Sequence, residues 1–180
     1  MSTENKRHSF CPLCATPLTK QTINGENRKA CTKESCDYVE WNNPTPVLAA
    51  IVQAENRVVL VRAIGWPEDW FGLVTGFHES GETAEDGVAR EVKEELGLEC
   101  QVESLVGVYS FFQMNQVIIA YHVVLEEGDI KLDSTELVDY KKIPINELQP
   151  WPSGTGKAVQ DWLKTKGIDK EPMPFLRTKK

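Results

Sequence analysis

Residues 76–98 constrain this chain more than any other segment: Gly-Phe-His-Glu-Ser-Gly-Glu-Thr-Ala-Glu-Asp-Gly-Val-Ala-Arg-Glu-Val-Lys-Glu-Glu-Leu-Gly-Leu. Thr83 can cap a helix, with Asp86 three residues later, and Gly97 is a natural residue on which to end it. Between them Ala84, Val88, Val92 and Leu96 recur at i, i+4 and form an apolar stripe. Glu91 and Glu95 have the same spacing and fall beside that stripe, Glu95 almost within it. A carboxylate on the core-facing side of a helix is costly unless it is paired or coordinated. Arg90 reaches Glu94 at i+4, but several acids at one helix edge still repel each other. Any fold for this chain must give the stripe a core and leave the acids either on a solvated helix face or around a cation. Mg²⁺ or Mn²⁺ would serve as that cation, because both prefer carboxylates, waters and substrate phosphates. The preceding loop, ending Ser80-Gly81-Glu82, can approach such an ion through backbone carbonyls, with Glu82 facing the helix start.

The rest of the chain supplies the core. Val47–Gln53 and Arg57–Arg62 are β-rich runs split by Ala54-Glu55-Asn56, which predicts a hairpin. Ile64–Phe71, with Gly, Pro and two Trp, reads as a loop. A short strand is expected near Leu73–Thr75, leading into a loop over Gly76–Glu82. Val102–Phe112 and Gln116–Leu125 read as strands joined by a turn at Met114-Asn115, Glu126–Ser134 as a polar loop, and Leu137–Lys141 as a short strand. Ile145–Leu148 reads as a helical turn. Gly156–Lys166 reads as a helix with Val159, Trp162 and Leu163 on one face. Mixed strands around two helices indicate an α/β or α+β sandwich.

Residues 9–42 are rich in Cys, Thr, Asn and charge and cannot build a core of their own. Cys11-Pro-Leu-Cys14 and Cys31-Thr-Lys-Glu-Ser-Cys36 form two pairs, and four such thiolates can supply the tetrahedral ligands of a structural Zn²⁺. The bound metal would then provide the folding energy the segment lacks. Disulfides and unrelated buried cysteines are the alternatives. Cys100 stands apart as a half-buried thiol, and His8 is surplus to the cluster. Asn42-Asn43-Pro44-Thr45-Pro46 reads as a linker. The expected division is therefore a zinc ribbon over 1–42, a main domain over 43–166, and a basic, fraying tail over 167–180.

The segment 76–98 matches the Nudix box, G-x5-E-x7-R-E-U-x-E-E-x-G-U with U aliphatic, at Gly76, Glu82, Arg90, Glu91, Val92, Glu94, Glu95, Gly97 and Leu98. The chain thus resembles a Nudix hydrolase with an N-terminal zinc ribbon, similar to the NADH pyrophosphatase group. The resemblance covers roughly residues 45–165. It implies the Nudix α/β/α sandwich with a mixed sheet, and hydrolysis of nucleoside diphosphates linked to another group X. By position, Glu91, Glu94 and Glu95 would ligate Mg²⁺, the Gly76 carbonyl would join them, and Glu82 would support the cluster. Arg90 would orient the glutamates. The general base in many relatives is a Glu in a loop after the last core strands. Glu136 is the candidate here, although it could instead cap its loop, and Glu94 is the alternative base. Many relatives read Leu-Pro-Gly-Gly before the box, where this chain has Leu73-Val74-Thr75-Gly76. The zinc-ribbon branch tolerates that variation.

Specificity lies outside the box. Gln149-Pro150-Trp151-Pro152-Ser153 keeps only the core of a downstream signature found in NADH pyrophosphatases, so ADP-ribose, FAD and similar substrates stay open beside NADH. Trp66, Trp70, Tyr109, Phe111 and Phe112 are the aromatics that could stack a base, or could be core and loop anchors. Phe111 and Phe112 are the most suggestive, because adjacent strand residues face opposite ways. Arg62 could pair with a substrate phosphate or cover a strand end.

Charge bears on partners. The chain carries 20 Lys and Arg against 27 Asp and Glu, a net −7, and residues 76–98 alone hold seven acids and two bases. That argues against nucleic acid as a general partner. The ribbon, with six bases and five acids in residues 1–40, leaves open a different reading in which it binds nucleic acid or protein and the main domain is a nucleotide-binding regulator. Decapping of mRNA by the same box is a third reading. Met1–Phe10 is polar with no apolar core, and no apolar run is long enough to span a membrane, so a cytoplasmic protein is expected. Family members with an added N-terminal module often dimerise, which leaves a homodimer open.

Overall fold

The computed structural model describes residues 8–173. Of the tail expected to fray, residues 167–173 are instead held on the domain, with Ile168 packed on its core and Met173 N–H bonded to Pro150 O at 2.9 Å, while 174–180 lie outside the described residues, as do 1–7. The chain divides into two compact units, residues 1–43 and 44–180.

The first unit is a three-stranded antiparallel sheet in the order β1-β2-β3, formed by Leu18–Ile23, Glu26–Cys31 and Val39–Glu40. Asn24 and Gly25 both take positive φ, 53° and 82°, the pairing that closes a two-residue hairpin between β1 and β2. These strands carry almost no alternating apolar pattern, and the sequence alone predicts none of them. Only Cys11, Ala30 and Cys31 are buried apolar side chains among the described residues of this unit.

The second unit is built on a six-stranded sheet. Its strands are β4 (Thr45–Ala54), β5 (Arg57–Ala63), β6 (Val74–Phe77), β7 (Cys100–Phe111), β8 (Gln116–Leu125) and β9 (Leu137–Pro144). They run in the order β7-β8-β4-β5-β9, and β4 is parallel to β8. One edge of β4 is shared: β6 pairs with its first half, Val47 to Ala50, and β5 with its second, Val52 to Ala54. The sheet therefore forks where β6 and β5 part. Helix α1 (Ala84–Leu96) covers one face, packing Val88, Val92 and Leu96 on Leu48, Ala50, Val59, Val61 and Val74. Helix α2 (Gly156–Thr165) covers the other, packing Val159, Trp162 and Leu163 with Val47, Ala49, Ile51 and Leu60. A strand buried on both faces needs a continuous apolar run, and Val47–Val52 provides one. This is the expected α/β/α sandwich with a mixed sheet.

The expected α1 is found with both of its ends. The Thr83 hydroxyl accepts from Asp86 N–H, and Gly97 sits at φ 70°, the left-handed geometry that only a residue without Cβ adopts freely. Several boundaries differ from the sequence reading; β7 begins at Cys100 and β9 runs on to Pro144. Thr45 and Pro46, expected in a linker, open β4, where a proline near the strand start removes no central ladder bond. Gly76 and Phe77, expected in the loop, are the last residues of β6, because Val47 and Leu48 pair with them. Phe112, expected in a strand, begins a 3₁₀ turn over Phe112–Met114. No helix among the described residues is long and apolar enough to cross a membrane.

Candidate active site

The fork in the sheet places the box residues. β6 carries Gly76 opposite Leu48, so its missing side chain points at the α1 face. A Cβ built there would overlap the Glu91 carboxyl group, so only glycine lets that carboxylate lie against the strand. Glu91 and Glu95 then sit one helical turn apart beneath β6, and Glu95 accepts a bond from Thr75 N–H.

Arg90 organises the other acids. Its Nε and Nη2 donate to Glu82 at 3.0 and 2.9 Å, Nη1 to Glu91 at 2.8 Å and to Glu94 at 3.0 Å, and Nη2 to the Phe77 carbonyl at 3.2 Å. All five guanidinium N–H donors are thereby engaged, a geometry that lysine cannot copy. The Arg90 bonds, helped by Glu79 N–H, hold the Glu82 carboxyl down to a pKa of about 2. Glu82 is thus spent on Arg90 and its own loop, while Glu94 stays 57% exposed with one bond to Arg90.

Glu91 and Glu95 behave oppositely. Burial raises the Glu91 pKa against the pull of Arg90, and the Glu94 and Glu136 charges add to the rise. Glu95 is 6% exposed, and burial, then the Glu91 charge, push it up to about 8. Its Oε2 is buried with no hydrogen-bond partner. An orphaned carboxylate oxygen beside a second half-buried carboxylate carries a desolvation cost that a bound cation would remove. The donors are hard oxygens, Glu91, Glu95 and Glu94 with the Gly76 carbonyl nearby, a set that fits a divalent ion of the magnesium or manganese type.

The loop after β8 completes the cluster. Lys131 N–H bonds Leu96 O at 2.9 Å and Asp133 N–H bonds Glu95 O at 3.1 Å, so the loop runs along the end of α1. Ile64 N–H bonds Glu136 O at 2.8 Å, which ties the same loop to the end of β5. Glu136 therefore stands exposed close enough for its charge to raise both Glu91 and Glu95, and Asp133 acts on Glu95 as well. Loop capping falls to Asp133, whose Oδ1 accepts from Thr135 N–H and hydroxyl at 2.8 and 2.7 Å. Asp133 was missed in the sequence, because nothing in a polar loop tells that it will dock on a helix end.

The aromatic candidates separate. Phe111 packs on the α2-side core, and both it and Phe112, which is 86% exposed, line a cavity of about 460 Å³ with Trp151, Ser153 and Lys157. Trp70 is 60% exposed in the loop between β5 and β6 and does not line that cavity. Trp66 lays its ring against Gly72, and Tyr109 is buried with its hydroxyl donating to Asp161 at 3.1 Å. Arg62 lies on β5, 3.8 Å from Asp139.

In the first unit the four sulfurs of Cys11, Cys14, Cys31 and Cys36 lie within 4.8 Å of one another. Cys11 and Cys36 are 3.7 Å apart and Cys14 and Cys31 3.5 Å. A tetrahedral site with Zn–S near 2.3 Å has sulfur–sulfur edges of about 3.8 Å. The cluster could therefore bind zinc. The Thr16 hydroxyl and backbone beside Cys14 draw its thiol down to about 6, toward the thiolate a metal needs. His8 pairs with Glu40 instead, and Cys100 is half-buried with its pKa raised by burial to about 11.

Comparison with known proteins agrees with this geometry. The chain is 28% identical over 149 residues to the NAD-capped RNA hydrolase NudC of Pseudomonas putida, covering 83% of this chain and 52% of that protein. The NudC of Vibrio parahaemolyticus is also 28% identical, over 147 residues, covering 81% and 55%. The chain thus spans about half the length of the curated relatives it matches. Among solved structures, a NUDIX hydrolase from Nitrosomonas europaea superposes with a TM-score of 0.73 at 22% identity, covering 93% of this chain and 97% of that one. A UDP-X diphosphatase superposes at 0.55 with 22% identity, covering 77% and 70%. The family described as NUDIX domain matches residues 43–162, two thirds of the chain, across β4, the box and α2. By its sheet, its box and this match, the chain belongs to the NUDIX domain family.

Proposed function

We propose that this chain is a divalent-metal-dependent hydrolase that cleaves the pyrophosphate bond of a nucleoside diphosphate linked to a second group, releasing a nucleoside monophosphate and a phosphorylated second product. The observation that carries this reading is the pair Glu91 and Glu95. Glu91 is held against Gly76, Glu95 lies one helical turn on, both have raised pKa values and Glu95 has one unpartnered oxygen, an arrangement whose ionised form a bound cation would stabilise. Glu91, Glu94, Glu95 and the Gly76 carbonyl are the proposed ligands. Glu82 supports them through Arg90 rather than by ligation, because its carboxylate is already bonded by Arg90 and by Glu79 N–H. When bound, Mg²⁺ or Mn²⁺ would neutralise pyrophosphate oxygens and acidify a water. Arg90 fixes the rotamers of Glu91 and Glu94, so the ligand oxygens are preorganised. Glu136 is the proposed general base. Its carboxylate is exposed beside Glu91 and Glu95, and its backbone is bonded at both ends, to Asp133 and Ile64, whereas Glu94 is tied to Arg90.

The cavity beside Phe111 and Trp151 is the proposed seat for one nucleoside half, with a ring stacking on Phe111 or the exposed Phe112. Trp151, Pro152 and Ser153, the residues of the shortened NADH pyrophosphatase signature, line it, which favours dinucleotides such as NADH, ADP-ribose or FAD over nucleoside triphosphates. The relatives named NAD-capped RNA hydrolase are in keeping with a dinucleotide substrate. Residues 1–42 are proposed to be a structural zinc ribbon and 43–166 the hydrolase domain. The test is hydrolysis of NADH, NAD⁺, ADP-ribose and FAD with Mg²⁺, with the products identified. Failure to cleave any of them overturns the proposal, and metal analysis finding no zinc per chain overturns the ribbon.

A further inference from the structure

Glu136 stands beside the acids without a side-chain tether. Its charge is felt by Glu91 and Glu95, yet its carboxylate is exposed, and among the described residues no hydrogen bond or ion pair holds it. The backbone of its loop therefore sets its place. A base must come within about 3 Å of the proton it takes, directly or through one water, so a loop left to wander would serve it badly.

Asp133 is where that loop is held. Its N–H donates to the Glu95 carbonyl at 3.1 Å, which fixes it to the turn of α1 that carries the proposed metal ligands. Its carbonyl accepts from Glu136 N–H at 3.2 Å and from Leu137 N–H at 2.8 Å, which closes the turn on the base. Its side chain clasps the same turn from within. Oδ1 accepts from Thr135 N–H at 2.8 Å and from the Thr135 hydroxyl at 2.7 Å. A carboxylate oxygen that takes the N–H two residues on makes an Asx turn and fixes the backbone between. On the far side Leu137 is buried in the α1-side core, and Ile64 N–H holds the Glu136 carbonyl at 2.8 Å. The base thus sits on a short span whose ends rest on α1 and on the end of β5.

We propose that Asp133 is a positioning residue for hydrolysis: through its clasp on Thr135 it keeps Glu136 in fixed register with Glu91 and Glu95. The inference rests on the pyrophosphohydrolase reading, with Glu136 as the base that takes a proton from the attacking water. Asp133 acts through Glu136, and what it must supply is an acceptor oxygen rather than a charge. Asparagine keeps that oxygen and loses the charge, so it separates a positioning residue from a group whose charge is needed at the site. A merely structural cap would cost stability and leave the turnover of the folded protein unchanged.

Asp133→Ala, Asp133→Asn, Thr135→Val and Glu136→Gln are made in the full chain, and kcat and KM are measured with Mg²⁺ on NADH and ADP-ribose. Asp133→Ala lowers kcat by about 100-fold, the order expected when a catalytic group moves by an ångström, and leaves KM unchanged. Asp133→Asn restores most of the rate. Thr135→Val keeps the N–H, loses the hydroxyl and falls between. In the Glu136→Gln background Asp133→Ala brings no further loss, because residues that act through one another are not additive. Hydrogen exchange of the metal-free protein reads the clasp itself. The amides of residues 134–137 exchange about tenfold faster in Asp133→Ala, the effect of about one lost hydrogen bond, and at the original rate in Asp133→Asn. Asp133→Asn as slow as Asp133→Ala, full additivity with Glu136→Gln, or an unchanged kcat in Asp133→Ala overturns the positioning role. If Asp133→Ala does not fold, Thr135→Val carries the test, and an unchanged kcat there overturns the role. If the unmodified chain hydrolyses neither substrate, the hydrolase reading fails and exchange judges the clasp: equal rates in all three proteins overturn it, and loss in Asp133→Ala with rescue in Asp133→Asn upholds it.

Discussion

Replacing Glu95 by Gln should stabilise the metal-free protein while removing its response to magnesium. Glu95 has an ordinary pKa of 4.5 and a folded value of about 8. Because the folded value is raised, the protonated side chain is the one the fold accepts. Stability is therefore full below about pH 4.5 and is lost as pH rises through about 8. At 1.36 kcal/mol per pH unit, the ionisable group costs the fold about 3 kcal/mol at pH 7 and under 1 kcal/mol at pH 5. Gln keeps the shape and the bond from Thr75 N–H but brings an amide NH₂ into the place of the orphaned oxygen, at a cost of about 1 kcal/mol. The net gain at pH 7 is then about 2 kcal/mol, or about 6–10 °C in Tm for a unit of this size. Thermal unfolding followed at pH 5, 7 and 8.5 without divalent ions measures it. The expected result is a Glu95→Gln advantage that widens with pH. Added Mg²⁺ should close the gap, because a cation bound by the native state stabilises only the protein that still has the carboxylate. A Glu95→Gln protein no more stable than the unmodified chain at any pH, or an advantage that does not grow with pH, refutes the account of a buried, metal-seeking carboxylate.

Other perturbations probe the remaining parts of the cluster. Gly76→Ala forces a methyl into the Glu91 carboxyl, so hydrolysis of a pyrophosphate substrate should fall about 100-fold while the circular dichroism spectrum is kept, since displacing a catalytic group by an ångström costs on that order. Arg90→Lys leaves Glu82 and Glu94 without the five-donor fork. Glu82 is held down to about 2, so it stabilises the fold above its ordinary 4.5 and loses that effect as pH falls toward 2; acid unfolding of Arg90→Lys should begin at higher pH. Leu48→Ala opens a void under α1 at a fully buried position and should cost about 2–5 kcal/mol in urea unfolding with an unchanged m-value. Cys14→Ser leaves three thiolates in the first unit, and zinc content by atomic absorption should fall well below one per chain.

Much of this protein is written locally. The stripe Ala84, Val88, Val92 and Leu96, the Thr83 cap and Gly97 define α1 to the residue, because helix ends are set by neighbouring side chains and backbone angles. The i+4 reach of Arg90 to Glu94 and the near-core placement of Glu95 follow from the same periodicity. The double-cysteine spacing likewise foretold a sulfur cluster, because two short turns must bring each pair together. The strands of the first unit were not legible, since β1 to β3 bury so few apolar side chains that no alternation appears.

What the sequence by itself determined is the chemistry available: a helix edge crowded with acids, an arginine to hold them, a glycine before them and four thiols. What only the tertiary structure decided is who meets whom. The fork at β4 brings Gly76 against Glu91, and the loop bond from Asp133 to Glu95 brings Glu136 to the acids. Those meetings join residues far apart in the chain, and their cost or benefit depends on burial. A carboxylate such as Glu95 has no shifted pKa and no unmet bond until a sheet closes over it.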